Sequence, residues 1–242
     1  MKSLQDRTKN QQPGLRILSA GAPKAGVRRC AEFFFEKTGN PFEIEFATAP
    51  AIGIRVSAGT ANADIVIAPA TMLEGFQEDG IVVDGSVVAL GSVSVGVSVR
   101  INAPEPDLSS VEKIRQALLA ADKLIYNRAS SGQQIEKLID DFGIAKSVTG
   151  KTVRTETGAS AMEHLARDRS RRAIGFGQIP EIKLHAALGI QLVGPLPREL
   201  NLNTSYCAGL SIAAKNTISA RTFLTHIGSQ KGRNILVESG LE

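Results

Sequence analysis

The 242-residue sequence predicts an α/β fold of two lobes, and three observations carry that prediction. Short apolar runs of strand length alternate with stretches whose apolar residues recur at i, i+3, i+4 and i+7, the spacing of a helix face. Two longer apolar runs, residues 91–99 and 206–214, have no helix directly before them, so each is read as a passage of the chain from one lobe to the other. Strand after strand also ends in a turn of small or polar residues that opens a helix, the plan of open, mostly parallel sheets that bind ligands at the carboxyl ends of their strands.

Residues 1–14 are polar, contain nothing that could bury surface, and are read as a flexible arm. Leu15–Ala20 reads as the first strand. Val27, Cys30, Ala31 and Phe34 then share one helix face, Gly39 stops that helix, and Asn40-Pro41 turns the chain. Residues 42–48 alternate as a second strand, followed by a helix from Pro50 to Gly59. Residues 64–68 form a third strand, and a helix through Met72, Leu73 and Phe76 ends at Gly80. In residues 91–99 Val alternates with Ser or Gly, which gives a long strand one apolar face.

The second half repeats the logic. Ser109 and Glu112 have the spacing of a capping box before a helix through Val111, Ile114 and Leu118. Residues 123–128 form a strand whose turn, residues 129–133, leads into a helix with Ile135, Leu138, Ile139 and Phe142 on its face. Residues 152–157 are a strand, and 158–160 open a helix with Ser160 and Glu163 as its capping box. Residues 173–180 read as a strand stopping at a Gly-Gln-Ile-Pro turn, and 190–193 as one more short strand. Residues 206–214 carry the chain back, and helices over 219–227 and from 229 to about 237 close it. The resulting division is lobe I, residues 15–91 and 208–242, and lobe II, residues 92–207.

Composition narrows the function classes. Apolar residues make up 43% and charged residues 21%, as in ordinary globular chains. No run approaches the ~18 consecutive apolar residues of a membrane span. The N-terminus lacks the apolar core of a secretory signal. This fits a mature or re-engineered periplasmic chain, or a cytoplasmic one if the terminus is native. The net charge of +4, from 28 basic and 24 acidic residues, is scattered; with aromatics at 5% and no Trp it suits a small anion better than nucleic acid. Low aromatic content also argues against a sugar site. The two cysteines, Cys30 and Cys207, fall in apolar elements and read as buried thiols rather than a disulfide; no metal-ligand spacing and no cofactor motif is present.

The stretch Ser19–Arg29, "SAGAPKAGVRR", has the G-x-x-x-x-G spacing at Gly21 and Gly26, but Val27 and Arg28 stand where a phosphate loop needs Lys and Ser/Thr, and the dinucleotide fingerprint is absent. What remains is a set of helix starts: residues 20–24, 48–51, 68–71, 129–133 and 158–160. Each offers unpaired N–H groups and partial positive charge, and several converging on one cleft make an anion site. The alternative is that Ser130, Ser131 and Ser160 only cap their own helices. Lys24 and Arg128, each at a strand-to-helix junction, are either surface charges or carboxylate partners. His164, His185 and His226 lack metal or catalytic spacing and read as helix-surface residues; no nucleophile elbow or acid/base pair stands out, so no catalytic residue is assigned.

With these elements in order, the phrases "LRILSAGAPKAG", "AEFFFEKTGNPFEIEFATAP" and "ADIVIAP" make the chain, from about Leu15 to Leu241, resemble the solute-binding proteins of ABC importers, most closely the molybdate-binding type. The resemblance implies a type II periplasmic-binding-protein fold, with two mostly parallel sheets joined by crossing strands, and closure of a hinged interlobe cleft on a small anion. It further implies delivery to a membrane permease, a monomer, and a periplasmic place of work. Carried over by position, the ligand set is Ala22, Pro23, Lys24, Thr48, Ala49, Pro69, Arg128, Ser130, Ser131, Gly132, Ser160 and Gln178. Two positions where the family offers a Ser hydroxyl to an oxyanion fall on Ala22 and on Ala49 or Pro50, and the family's Tyr aligns near Gln178. Those departures favour an organic acid over molybdate. A similar branch of the superfamily, the aconitate isomerases, implies the alternative of an isomerase acting on a small polycarboxylate, with Lys24 as its candidate base.

Overall fold

The computed structural model describes residues 14–200 and 202–242; the arm expected over residues 1–14 lies outside this range except for Gly14. The chain divides into two compact units. The first takes in the chain up to Ala47, Ala51–Gly91 and Tyr206–Ser239; the second comprises Thr48–Pro50, Ser92–Ser205 and Gly240–Glu242.

In the first unit, β1 (Leu15–Ala20) pairs in parallel with β2 (Phe42–Ala47) on one side and with β3 (Ile65–Pro69) on the other. The last strand, β9 (Asn203–Leu210), joins β3 antiparallel, with Ala208 opposite Ile67. The parallel strands are linked by α1 (Lys24–Thr38) and α2 (Ala49–Ser57), and β3 runs straight into α3 (Ala70–Glu78). Helices α9 (Thr217–Ile227) and α10 (Gln230–Glu238) pack on α1. Gly26 lets α1 and α10 approach: a Cβ there would stand 2.9 Å from the Leu236 side chain. Ile17, Leu18, Ile65, Ile67, Phe34 and Phe223 are buried, as the helical and strand periodicities require.

Asp64, fully buried at the amino end of β3, holds the unit's other edge. It accepts from the Arg16 N–H at 2.9 Å, the Lys215 N–H at 2.7 Å and the Asn216 N–H at 3.2 Å, and pairs with the Arg16 guanidinium at 3.1 Å. Burial alone would raise its pKa, but these hydrogen bonds hold it below the ordinary 3.8.

The second unit is built on β5 (Lys123–Asn127), parallel to both β6 (Thr152–Thr155) and β7 (Ala173–Gln178). The long strand β4 (Val88–Arg100), which starts in the first unit, runs antiparallel to β7 and to β8 (Ile190–Pro195). Its helices are α4 (Val111–Ala120), α5 (Ser130–Asp141), α6 (Ala145–Val148), α7 (Gly158–Arg167) and α8 (Ile179–Leu184). One apolar cluster on Leu118, Leu124, Ile135 and Phe176 and another on Ile125, Met162, Leu165 and Ile182 cover this sheet's strands. Each unit is therefore a parallel core completed by antiparallel crossing strands, as the α/β prediction has it.

Four local expectations are corrected. The cap of α4 is Ser110, one residue later than read: its hydroxyl accepts from the Lys113 N–H, while the Ser109 N–H is taken by Asp107. The box at α7 is Thr157 with Ser160, not Ser160 with Glu163, because β6 ends at Thr155 and the helix starts three residues sooner than a Ser160 cap requires. The Gln-Ile-Pro turn is the start of α8, with Pro180 in its first turn, where the missing N–H costs nothing. And β9 spans Asn203–Leu210 rather than 206–214; the chain turns at Ser211, whose hydroxyl takes the Ala213 N–H.

Candidate functional site

Each unit presents the carboxyl ends of its parallel strands, and the helix starts that follow β1, β3, β5 and β7 share one property. The N-cap residues of α1, α3, α5 and α8 are Pro23, Pro69, Ala129 and Gln178, and none gives its helix a side-chain cap. By contrast α4, α7, α9 and α10 are capped by Ser110, Thr157, Asn216 and Ser229. A side-chain cap satisfies an N–H that would otherwise seek an acceptor. Where the cap is missing the N–H groups stay available, with the positive end of the helix behind them, except that at α5 the Asn127 side chain takes the Gly132 N–H.

In the first unit the edge is nearly free of hydroxyls. Ser19, the last polar residue of β1, is fully buried and donates to the Ala20 carbonyl at 3.0 Å. Ala22 and Pro23 are buried, and the Val27 N–H closes on the Pro23 carbonyl at 2.9 Å. Lys24 is exposed at the head of α1, its Nζ 5.3 Å from the centroid of Phe46 near the end of β2; the Arg28 guanidinium lies 5.6 Å from the same ring. A cation over an aromatic face is held without being neutralised. Pro69 ends β3 and starts α3. Thr48 and Ala49, which follow β2, group with the second unit; Thr48 is half-buried and Ala49 buried.

In the second unit the edge is made of side-chain amides and hydroxyls. Asn127, the last residue of β5, organises the head of α5: its Oδ1 accepts from the Ala129 N–H at 2.8 Å and the Gly132 N–H at 3.3 Å, and its Nδ2 donates to Ser131 Oγ at 3.0 Å. Gly132 is required, since a side chain there would drive into the Asn127 carbonyl. Ser130 is half-buried at the first position of α5. Arg128 is exposed and its Nε lies 3.5 Å from Glu156, itself exposed. Ser160 is engaged in the Thr157 box, accepting from the Thr157 N–H at 3.0 Å. Gln178 is 3% exposed; its Nε2 donates to Thr204 Oγ1 at 3.2 Å, and Thr204 also accepts from Gln134 Nε2 at 3.3 Å. The carbonyl oxygens of both glutamines are buried without a hydrogen-bond partner.

The second unit thus brings Ser130, Ser131, Gly132 and Gln178 to one strand edge, and adds Asn127, Gln134 and Thr204, which sequence reasoning missed. Glu181 on α8 is a further one. Its carboxylate lies against Gly158 at the first position of α7, so close that a side chain there would overlap it, and the head of α7 thereby faces a carboxylate of the chain's own.

The remaining reactive groups lie elsewhere. Among the described residues no three His, Cys, Asp or Glu side chains are grouped to hold a metal ion. Cys30 and Cys207 are free thiols; burial pushes Cys30 up to about 12 and also raises Cys207, which is half-buried. The expectation of three surface histidines is corrected. His226 lies on the buried side of α9, stacked on Phe33 at 5.2 Å with Phe34 and Phe223 close by, its Nε2 unpartnered and its pKa lowered by burial. His185 follows α8, its Nδ1 bonded to the Glu181 carbonyl at 2.8 Å, and is half-buried, as is His164. No helix among the described residues is long and apolar enough to cross a membrane.

Comparison with known proteins gives these features a setting. The family model described as bacterial extracellular solute-binding protein matches residues 15–242. A relative known as aconitate isomerase, from a Pseudomonas species, is 26% identical over 235 residues, 94% of this chain and 87% of its own length. Among solved structures, the periplasmic molybdate-binding protein of Azotobacter vinelandii superposes with a TM-score of 0.77 at 16% identity, over 94% of this chain and 98% of its own. The tungstate ABC transporter structure from Geobacter sulfurreducens gives a TM-score of 0.73 at 13% identity, over 95% of this chain and 100% of that one. The shared fold is the type II periplasmic-binding-protein fold.

Proposed function

This chain belongs to the bacterial extracellular solute-binding protein family, and from that premise we propose that its solute is a small organic carboxylate, captured for an ABC importer in the periplasm. The observation that carries the proposal is the make-up of the first unit's edge. Buried Ala22 and Pro23 stand beside an uncapped helix start, with the Lys24 ammonium next to them. A carboxylate needs only N–H groups and a cation at its head, and its carbon skeleton lies against methyl and methylene groups at no cost. A tetrahedral oxyanion is polar on every side and is matched by donors all round, which this edge does not supply. In this reading the ligand contacts are Ala22, Pro23, Lys24, Thr48, Ala49 and Pro69, together with Arg128, Ser130, Ser131, Gly132, Ser160 and Gln178. The chain acts as a monomer that docks on a membrane permease.

Thermal-shift screening of organic acids against molybdate, tungstate, sulfate and phosphate tests the proposal. A carboxylate at 100 times its Kd adds about 2.7 kcal/mol of stability, and the oxyanions add little. A strong shift with molybdate and none with any carboxylate overturns it.

One observation favours a second reading, an isomerase acting on a small polycarboxylate: the 26% identical relative known as aconitate isomerase. Incubating the protein with trans-aconitate and following the isomer ratio by NMR decides this reading. An unchanged ratio at high protein concentration removes it.

A further inference from the structure

The second unit holds a feature that the carboxylate reading alone does not use. Gln134 and Gln178 both donate to one hydroxyl, Thr204 Oγ1, at 3.3 and 3.2 Å. Both of their carbonyl oxygens are out of solvent and without a partner, and Gln178 is 97% buried by its 3% exposure. A threonine hydroxyl has one proton to give and two lone pairs to fill. Two amide N–H groups fill the lone pairs, and then two acceptors remain unmet beside the hydroxyl. Gln134 is held as it stands by a second bond, from its Nε2 to the Asn203 carbonyl at 3.2 Å; if the Gln178 amide turns over by 180°, Thr204 donates to its oxygen, and that amide then presents N–H₂ where its oxygen was. The other amide still presents its carbonyl. In either arrangement at least one acceptor is left for a donor brought from outside, and in the second a donor stands near it.

Building on the carboxylate reading above, we infer that the Gln134–Thr204–Gln178 cluster reads the ligand's hydroxyl: the solute is a hydroxycarboxylic acid whose O–H donates to a glutamine carbonyl while its carboxylate accepts. The head of α5, carrying Gln134 in its second turn, supplies backbone N–H groups on the same strand edge. Fully deprotonated oxyanions such as molybdate and sulfate bring no donor and leave the carbonyl unmet, which in a buried site is strongly disfavoured.

Isothermal titration calorimetry with matched pairs tests this: malate against succinate, and citrate against propane-1,2,3-tricarboxylate, with molybdate as a further arm. The hydroxy acid of the preferred pair should bind at least about tenfold tighter than its deoxy partner, the effect of one well-made hydrogen bond. In Gln178→Met the preference should fall to within about twofold. Gln134→Met, at a less buried position, should reduce it as well and serves if Gln178→Met fails to fold. Equal binding of hydroxy and deoxy acids overturns the inference and leaves the carboxylate reading intact; the carbonyls are then met by water alone. A hydroxyl preference that survives both substitutions also overturns it. Binding of molybdate with no carboxylate bound at all removes the reading beneath it as well.

Discussion

The two strand edges are built on the same plan and finished with opposite chemistry. In the first unit, small apolar residues and prolines end the strands, the only polar side chain at the end of β1 is turned back on its own backbone, and charge is supplied by Lys24. In the second, two separate sets of neutral hydrogen bonds, Asn127 with Ser131 and the Gly132 N–H, and Gln134 and Gln178 with Thr204, finish the edge. The difference teaches that one fold separates two tasks. On the carboxylate reading, the bare edge offers backbone N–H groups and a cation to any carboxylate. An edge of amides and hydroxyls offers donors and acceptors at set places, and a ligand that leaves one of them unmet is disfavoured.

The largest expected effect tests how firmly Asn127 holds the head of α5. Gly132→Ala forces a methyl group into the Asn127 carbonyl, whereas Gly21, in the first unit's loop, has nothing within 4 Å of the place a Cβ would take. Gly132→Ala should cost about 3 kcal/mol in denaturant unfolding, while Gly21→Ala should stay within about 0.5 kcal/mol. Equal, small effects would mean the second edge yields as easily as the first, and the comparison would fail.

The next effect concerns charge. Lys24 is poised over Phe46 without an anionic partner among the described residues, but Arg128 faces Glu156. Lys24→Met should therefore weaken carboxylate binding by about 1.5 kcal/mol, somewhat more than tenfold. Arg128→Met should change it less than about threefold, since a pair this exposed contributes little. Calorimetry at low and moderate salt checks both; a larger loss at Arg128 would move the anion's main partner to the second unit.

These edges were unequally legible in the sequence. The first was readable because its strand, turn and helix are contiguous, so the turn at residues 20–24 and Lys24 follow from the pattern, and Ala22 within it from the resemblance. In the second, Gln178 could be singled out only by resemblance. Thr204 and Gln134 escaped, because 26 and 70 positions separate the hydrogen-bonded residues and no period links a strand end to a returning strand. α8 was taken for a turn because an apolar, glycine-containing run ahead of Pro180 reads as a strand reaching a breaker, although Pro is at home in a helix's first turn. His226 was misplaced because a helical face pattern counts a histidine as polar, while its neighbours on α1, Phe33 and Phe34, are known only from the fold.

That misplaced histidine gives the smallest effect and a control on the whole comparison, since it belongs to the first unit's helices and to neither edge. Burial lowers the pKa of His226 from the ordinary 6.5, and its hydrogen bond with the Cys30 backbone offsets this only in part. Its neutral form is thus favoured by folding, so the unfolded chain binds a proton first as pH falls. Stability should be full above about pH 6.5 and decline as pH drops through that value towards the lower folded pKa. Asp64, held below 3.8, keeps its contribution throughout this window and loses it only at far lower pH. Urea unfolding at pH 7.5, 6.5 and 5.5 should show the decline in the wild type and a flatter profile in His226→Phe, with carboxylate affinity at pH 7.5 unchanged. A profile equally steep in the variant would assign the pH response to other groups. A loss of affinity in the variant would show that the first unit's edge depends on the helices behind it, and the two edges could then no longer be compared as independent surfaces.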